Sequence, residues 1–253
     1  MKFKNEVVLV TGSTRGIGRG IAEAFAKEGA VVVINGTHME HVAKTVDEFS
    51  TQGYRVYGEA FDVANYDDTF AAIQNINKKL GNVTILVNNA GISPKKDGRK
   101  VMFQDMDPEV WEQVVDVNLN GVFNCCRAVI NDMIAQKRGK IINISSAFAR
   151  YYSSTASSHY MVTKTAVLGL TRAISGETCR FGINCNAICP GRAWTEMTES
   201  VPKEVNDAFM ATIPVGRFAK IEDIAAAALF LASEDASYMH GASLDVNGGI
   251  CML

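Results

Sequence analysis

The chain has 253 residues, with 25 Lys and Arg against 27 Asp and Glu for a net charge of -2, and this length suits one α/β domain with a sizeable core. No global field argues for nucleic acid or an anionic membrane as partner, so a small molecule is expected. The apolar runs fall far short of the ~20 residues of a membrane span, no leader or anchor is visible, and a soluble cytoplasmic protein is expected.

The six cysteines, Cys125, Cys126, Cys179, Cys185, Cys189 and Cys251, show no C-x-x-C spacing, and the four histidines are scattered. Free thiols in a reducing compartment and no metal site are the expectation. No repeat, low-complexity linker or domain boundary interrupts residues 1–253, which read as a single domain.

In chain order, Glu6–Thr11 is a short apolar run that opens into Gly12-Ser13-Thr14-Arg15-Gly16-Ile17-Gly18, followed by Ile21, Ala24 and Phe25 at helical spacing. Strand, glycine turn and helix is the arrangement in which a backbone approaches a pyrophosphate and a helix N-terminus meets its charge. The next strand, Gly29–Ile34, ends in Asn35-Gly36-Thr37-His38. An acid there would bind the adenosine ribose hydroxyls and repel a 2′-phosphate. With no acid, and Arg15 available as countercharge, NADP(H) is expected over NAD(H).

A helix with Val42, Val46 and Phe49 leads to a third strand within Tyr54–Val63, whose end at Asp62-Val63 can flank an adenine. A further helix, with Phe70, Ile73, Ile76 and Leu80 as its apolar stripe, leads to Val83–Gly91. Apolar strands alternating with helices predict a parallel sheet covered on both faces, an α/β/α sandwich with ligands at the strand C-terminal ends. Asn88-Asn89-Ala90-Gly91 sits at such an end, with small residues where a ribose must pass.

Ser93–Asp107 is a basic loop (Lys95, Lys96, Arg99, Lys100), read chiefly as solvated and alternatively as a mouth for an anionic substrate. A long helix after Pro108 carries Val115, Leu119, Val122, Cys126, Val129 and Met133, and Asn118 interrupts it as either a structural bridge or part of a proton path. Lys140–Ser146 is a fifth strand, and Tyr160 and Lys164 lie one turn apart on the helix that follows, on one face. A lysine cation about 4 to 6 Å from a phenol lowers its pKa, which makes Tyr160 an acid/base, with Ser146 at the strand end to hold the same oxygen. Tyr151 and Tyr152 lack a lysine four residues on and read as pocket wall.

Gly182–Ile188 is a sixth strand, ending at Pro190-Gly191-Arg192-Ala193-Trp194-Thr195. The less regular region 192–214, with Trp194, Met197, Val201, Phe209 and Met210, is read as a substrate lid or else as a surface helix pair. A helix over Ile221–Ser233 and a strand over Ser243–Gly249 close the chain.

As an ordered set, Thr11-Gly12-x-x-x-Gly16-x-Gly18, Asn88-Asn89-Ala90-Gly91, Asn118, Ser146, Tyr160-x-x-x-Lys164 and Pro190-Gly191 resemble the short-chain dehydrogenase/reductase family, and are most similar to its 3-oxoacyl-acyl-carrier-protein reductase branch. The resemblance implies a doubly wound, seven-stranded parallel Rossmann sheet and a homotetramer formed through two long helices and the C-terminal region. It also implies roles: Ser146 orients the substrate oxygen, Tyr160 is the acid/base, Lys164 lowers its pKa and binds the ribose, and Asn118 anchors a relay water. Asp62-Val63 then flank adenine, and Pro190, Gly191, Ala193 and Thr195 cover the nicotinamide. The spacing from Ser146 to Tyr160 is one residue longer than is common, and the Ser93–Asp107 loop is long and basic. Sugar, polyol and hydroxysteroid dehydrogenases share the scaffold and stand as alternative activities, and a non-catalytic dinucleotide sensor stands as the alternative of another class.

Overall fold

Seven strands form one sheet because their sequences are near-continuous aliphatic runs that must be covered on both faces. A computed structural model describes residues 1–199 and 203–252, and of Glu196 and Met197 the backbone only. The strands are β1 (Val7–Val10), β2 (Val31–Gly36), β3 (Val56–Ala60), β4 (Ile85–Asn88), β5 (Gly139–Ile144), β6 (Ile183–Pro190) and β7 (Ser243–Val246). Their spatial order is β3-β2-β1-β4-β5-β6-β7, and every neighbouring pair is parallel. The expected seven-stranded Rossmann sheet is therefore present.

The helices are α1 (Gly16–Lys27), α2 (Met39–Thr51), α3 (Tyr66–Leu80), α4 (Pro108–Val115), α5 (Gly121–Gln136), α6 (Ser158–Thr178), α7 (Glu196–Glu199), α8 (Lys203–Met210) and α9 (Ile221–Ala232). On one face of the sheet, Ile21 and Phe25 of α1, Val42 and Phe49 of α2 and Ile224 and Leu231 of α9 pack against Val8, Val10, Val32 and Ile34. On the other, Ile73 and Ile76 of α3, Val122, Val129 and Met133 of α5 and Val167 of α6 pack against Leu9, Val33, Leu86 and Ile141. The strand order reverses between β1 and β4, and that reversal leaves a crevice above their C-terminal ends where a ligand is not blocked by a crossover.

Three details depart from the periodicity. Phe70 does not join the core: it is exposed and stacks on Tyr66 with ring centroids 6.2 Å apart, because Thr69, Ala72, Ile73 and Ile76 already fill the buried stripe of α3. The helix after Pro108 is not uniform either, since a π-helical turn over Asp116–Asn120 joins α4 to α5. Part of the irregular region 192–214 is helical, as α7 and α8; Val201 lies outside the described residues, as does the side chain of Met197.

A buried polar ladder crosses the sheet. Asn88 on β4 donates its amide to the Asn143 side chain on β5 at 2.8 Å, and Asn143 donates to Thr171 on α6 at 2.9 Å. Asn88 and Asn143 are register partners. Cys125, Cys126, Cys185 and Cys189 are buried free thiols, Cys179 is exposed and Cys251 is intermediate.

Candidate functional site

The end of β1 forms a turn that only a residue tolerating a left-handed backbone can make: Gly12 has φ +61°, and a β-carbon there would stand 3.0 Å from the Ala90 Cα. Thr11 sets that closeness. Its hydroxyl accepts the backbone N–H groups of Asn89 and Ala90, each at 3.0 Å, while the Asn89 amide donates back to the carbonyls of Thr11 and Gly12. The ends of β1 and β4 are thus stitched into one rim.

Asn35 and Ser13 brace the same turn from β2. The Asn35 side chain accepts from Gly12 N at 3.1 Å and donates to the carbonyls of Glu59 and Phe61. The Ser13 hydroxyl accepts from Asn35 N at 2.9 Å, and Ser13 N donates to Asn35 O. Both residues are fully buried, so their side chains hold the loop rather than face outward. Arg15 is the N-cap of α1 and makes no capping bond with its side chain. The first-turn N–H groups of Gly16, Ile17 and Gly18 then point with the positive helix end into the crevice, which is the donor set a pyrophosphate requires. Thr14 packs against Gly36, where a β-carbon would meet its methyl at 3.0 Å. Thr37 and His38 are exposed just past the end of β2, and Arg15 is exposed in the glycine turn.

Val63 is buried and Asp62 exposed beyond the end of β3, with the Asp62 carboxylate accepting from Ala64 N at 2.9 Å. From the far side of the crevice, the turn after β6 closes in. Gly191 N donates to Val246 O at 2.9 Å, Trp194 N to Ala219 O and Ala219 N to Arg192 O, which anchors Pro190–Ala193 to β7 and the segment before α9. Thr195 immediately precedes α7, and its methyl lies 3.9 Å from where a β-carbon of Gly16 would be. The glycine turn and the β6 turn therefore face each other across the crevice.

The catalytic candidates converge at the end of β5. Lys164 is buried on α6, donates its ammonium to the Ile144 carbonyl at 2.9 Å and lies 5.8 Å from the centroid of the Tyr160 ring. Burial lowers its pKa to about 8. A β-carbon at Gly91 would stand 3.3 Å from the Lys164 Nζ and 3.2 Å from the Asn118 Oδ1, so the missing side chain at Gly91 is what admits the ammonium to the rim. The Tyr160 phenol is held above its ordinary pKa by burial, with a hydrogen bond to the Ser146 hydroxyl pulling the other way. The expected downward pull from Lys164 is not what governs the phenol here: its ammonium is turned to a main-chain carbonyl, and desolvation outweighs the rest. Ser146 is buried and also accepts from Phe148 N at 3.1 Å.

Asn118, inside the π turn, accepts from Ile92 N at 2.7 Å and donates to Ile92 O at 2.9 Å and to the Thr163 hydroxyl at 3.3 Å. It ties the end of β4 to α6 one residue before Lys164. These bonds make its side chain a bridge, the first of the two readings open from its position in the chain, and they do not bear on the second, a part in a proton path. The basic loop is held near its middle by Lys100, which donates to the Tyr152 hydroxyl at 2.9 Å. Tyr151 packs edge-on to Phe148 at 5.7 Å, and Phe148 reaches Phe209 of α8 at 6.4 Å.

Thr11, Ser145, Thr163 and the carbonyls of Ile92 and Ile144 contribute without having been singled out as site residues. Only the paired serines at a strand end offered a signal, since the others act through main-chain geometry. Among the described residues no group of His, Cys, Asp and Glu is placed to hold a metal ion, and no helix is long and apolar enough to cross a membrane.

Comparison with known proteins follows the same lines. A family profile described as enoyl-(acyl carrier protein) reductase matches residues 12–251. The chain is 34% identical to a 3-oxoacyl-[acyl-carrier-protein] reductase of Thermotoga maritima over 99% of each chain. A crystal structure of a 3-oxoacyl-[acyl-carrier protein] reductase from Brucella melitensis with bound NAD superposes with a TM-score of 0.94 at 38% identity, covering 100% of this chain and 93% of that one. A gluconate 5-dehydrogenase from Burkholderia cenocepacia, in complex with NADP and tartrate, gives a TM-score of 0.92 at 35% identity, covering 98% and 96%.

Proposed function

From the premise that the chain belongs to the short-chain dehydrogenase/reductase family and is an oxidoreductase, we propose that it uses NADP(H) to interconvert a carbonyl and a secondary alcohol, with a 3-oxoacyl thioester on an acyl carrier protein as the leading substrate. The observation that carries this reading is the convergence of Ser146, Tyr160 and Lys164 on the rim opposite the glycine turn. The named activity of the Thermotoga relative supports the substrate.

The residues fit a dinucleotide. Gly12, Gly16, Ile17 and Gly18 would hold the pyrophosphate, Asn89, Ala90, Gly91 and Lys164 the nicotinamide ribose, and Pro190, Gly191, Ala193 and Thr195 the nicotinamide face. When bound, that ring supplies or accepts the hydride. Tyr160, kept protonated by burial, is suited to give its proton to a carbonyl oxygen, which supports reduction as the working direction. Ser146 holds that oxygen by a hydrogen bond, and the Lys164 charge favours the phenolate left behind. Region 192–214 acts as a lid, with Phe209 against Phe148 closing the pocket over the Ser146 strand end.

NADP(H) is favoured by the absence of an acid at Asn35-Gly36-Thr37-His38 and by Arg15, an exposed cation in the glycine turn that is available as countercharge. The working form is a cytoplasmic homotetramer, and the exposed Phe123 of α5 and Val162 of α6 are apolar surface that association of the long helices would cover. A sugar-acid or polyol substrate is the second reading, favoured by the likeness to gluconate 5-dehydrogenase. The test is a panel of carrier-linked ketoacyl thioesters, ketoses and ketosteroids assayed with NADPH and NADH. Oxidation of NADPH with a thioester is the expected result; turnover of ketoses alone moves the assignment to the second reading, and a tenfold preference for NADH overturns the cofactor.

A further inference from the structure

Among the arginines that are not exposed, Arg19 pairs with Glu48 at 2.7 Å and Arg150 with Asp245 at 3.3 Å. Arg192 is the exception: its side chain has neither an ion pair nor a hydrogen bond among the described residues. It follows Pro190-Gly191 directly, where the β6 turn meets the crevice. Its guanidinium carbon stands 5.0 Å from the centroid of the Phe209 ring and 5.3 Å from that of Phe218. Phe209 in turn reaches Phe148, whose N–H bonds the Ser146 hydroxyl, so Arg192 belongs to the same wall as the residue that holds the reacting oxygen.

Two aromatic rings can cover the faces of a guanidinium, but its five N–H donors lie in the plane and need acceptors. A cation withdrawn from water without a counterion is costly, and burial works against the Arg192 charge. The in-plane edge is the part of the group that takes a carboxylate or phosphate by two parallel hydrogen bonds. Stacking fixes that edge in orientation, as a recognition group requires.

We propose that Arg192 is the counterion for an oxyanion carried by the substrate, so that the protein acts on carbonyl or hydroxy compounds bearing a carboxylate or phosphate at the end that faces the β6 turn. This rests on the oxidoreductase reading and, by narrowing its substrate class to compounds with an oxyanion near the reacting carbon, sides with the sugar-acid reading over the carrier thioester. Phe209 and Phe218 position the guanidinium, and the lid helix α8 brings Phe209 to it.

The experiment compares two matched pairs in the full-length protein, levulinate with methyl levulinate and dihydroxyacetone phosphate with dihydroxyacetone, in the wild type, Arg192→Leu and Arg192→Lys. Thermal unfolding checks that each variant is folded, and Arg192→Lys serves should Arg192→Leu not fold. The wild type is expected to show kcat/KM roughly 10- to 100-fold higher for the anion of at least one pair. Arg192→Leu is expected to lose that preference through KM with kcat largely kept, and Arg192→Lys to keep part of it. Which pair shows the preference separates carboxylate from phosphate. Equal rates within both pairs, or a preference that survives in Arg192→Leu, overturns the proposal.

A binding readout keeps the site separate from the chemistry. Trp194 stacks on Phe218 at 5.7 Å, so in a Trp111→Phe background its fluorescence reports on the Arg192 stack. A response to levulinate or dihydroxyacetone phosphate that Arg192→Leu abolishes, without turnover of any compound, supports the anion site and removes the oxidoreductase reading. Turnover indifferent to charge and to Arg192 removes the anion site alone. The absence of both turnover and fluorescence response overturns both.

Discussion

Ser145 donates its hydroxyl to the main-chain carbonyl of Lys164 at 2.7 Å, while the Lys164 ammonium reaches back to the carbonyl of Ile144 at 2.9 Å. The two bonds clamp α6 to the end of β5 in both directions, so the distance between Ser146 and Tyr160 is set by the residues immediately beside them. Ser145→Ala is expected to lower stability by about 1 to 2 kcal/mol, the ordinary loss for a buried hydrogen bond whose acceptor is left behind, and to reduce kcat more than KM. Denaturant unfolding and steady-state kinetics on the same variant check both.

Tyr160→Phe removes the phenolic proton and leaves the ring that fills the site. A loss of roughly 10²- to 10⁴-fold in kcat is expected, the usual contribution of a general acid, with the fold intact and dinucleotide affinity unchanged. Retention of most activity would remove Tyr160 from the mechanism.

The buried Lys164 makes stability depend on pH. Its folded pKa of about 8 lies below the ordinary value of 10.5, so between these values the unfolded chain holds a proton that the folded chain has released. Stability therefore rises with pH across that window, and the unfavourable contribution of the buried charge is fully present below about pH 8. Lys164→Met is expected to remove this rise, which urea midpoints measured from pH 7 to 10.5 would reveal as a flatter profile.

Asn35 holds the glycine turn from beneath through Gly12, Glu59 and Phe61. Asn35→Ala strands these groups in a buried place and is expected to cost roughly 1 to 3 kcal/mol. It is also expected to raise KM for the dinucleotide while the ketone KM stays unchanged. Calorimetric unfolding and a two-substrate kinetic analysis separate the two effects.

Thr37→Asp places a carboxylate at the end of β2, where Thr37 is exposed. Repulsion of a 2′-phosphate is expected to lower kcat/KM for NADPH at least tenfold, with NADH little affected. No change would mean that Thr37 lies away from the adenosine ribose.

Much of this architecture was legible in the chain because the strands are aliphatic runs and the helices carry stripes, so the parallel sheet followed from periodicity. The site was legible where its chemistry resides in side-chain type, as at Tyr160, Lys164 and Ser146. It was hidden where the side chain acts on main-chain atoms: nothing in the sequence says that Thr11 binds the N–H groups of Asn89 and Ala90, or that Asn118 spends its amide on Ile92. Phe70 misled because an apolar residue at helical spacing reads as core whether or not the stripe is already full. Arg192 passed unmarked for a related reason, since an isolated arginine becomes unusual only when its described neighbours prove to be aromatic rings, with no acid paired to it among the described residues.

The amide ladder from Asn88 to Asn143 to Thr171 bears on how the chain reaches this arrangement. If β5 slid two residues past β4, every side chain would stay on its own face and aliphatic groups would still meet aliphatic groups, so greasy contact alone barely penalises the error. The slide would, however, strand two carboxamides in the interior at roughly 1 to 3 kcal/mol for each unpaired group. Parallel sheets pair segments that lie far apart in the chain, and this pair of asparagines singles out one register among those that burial alone would accept.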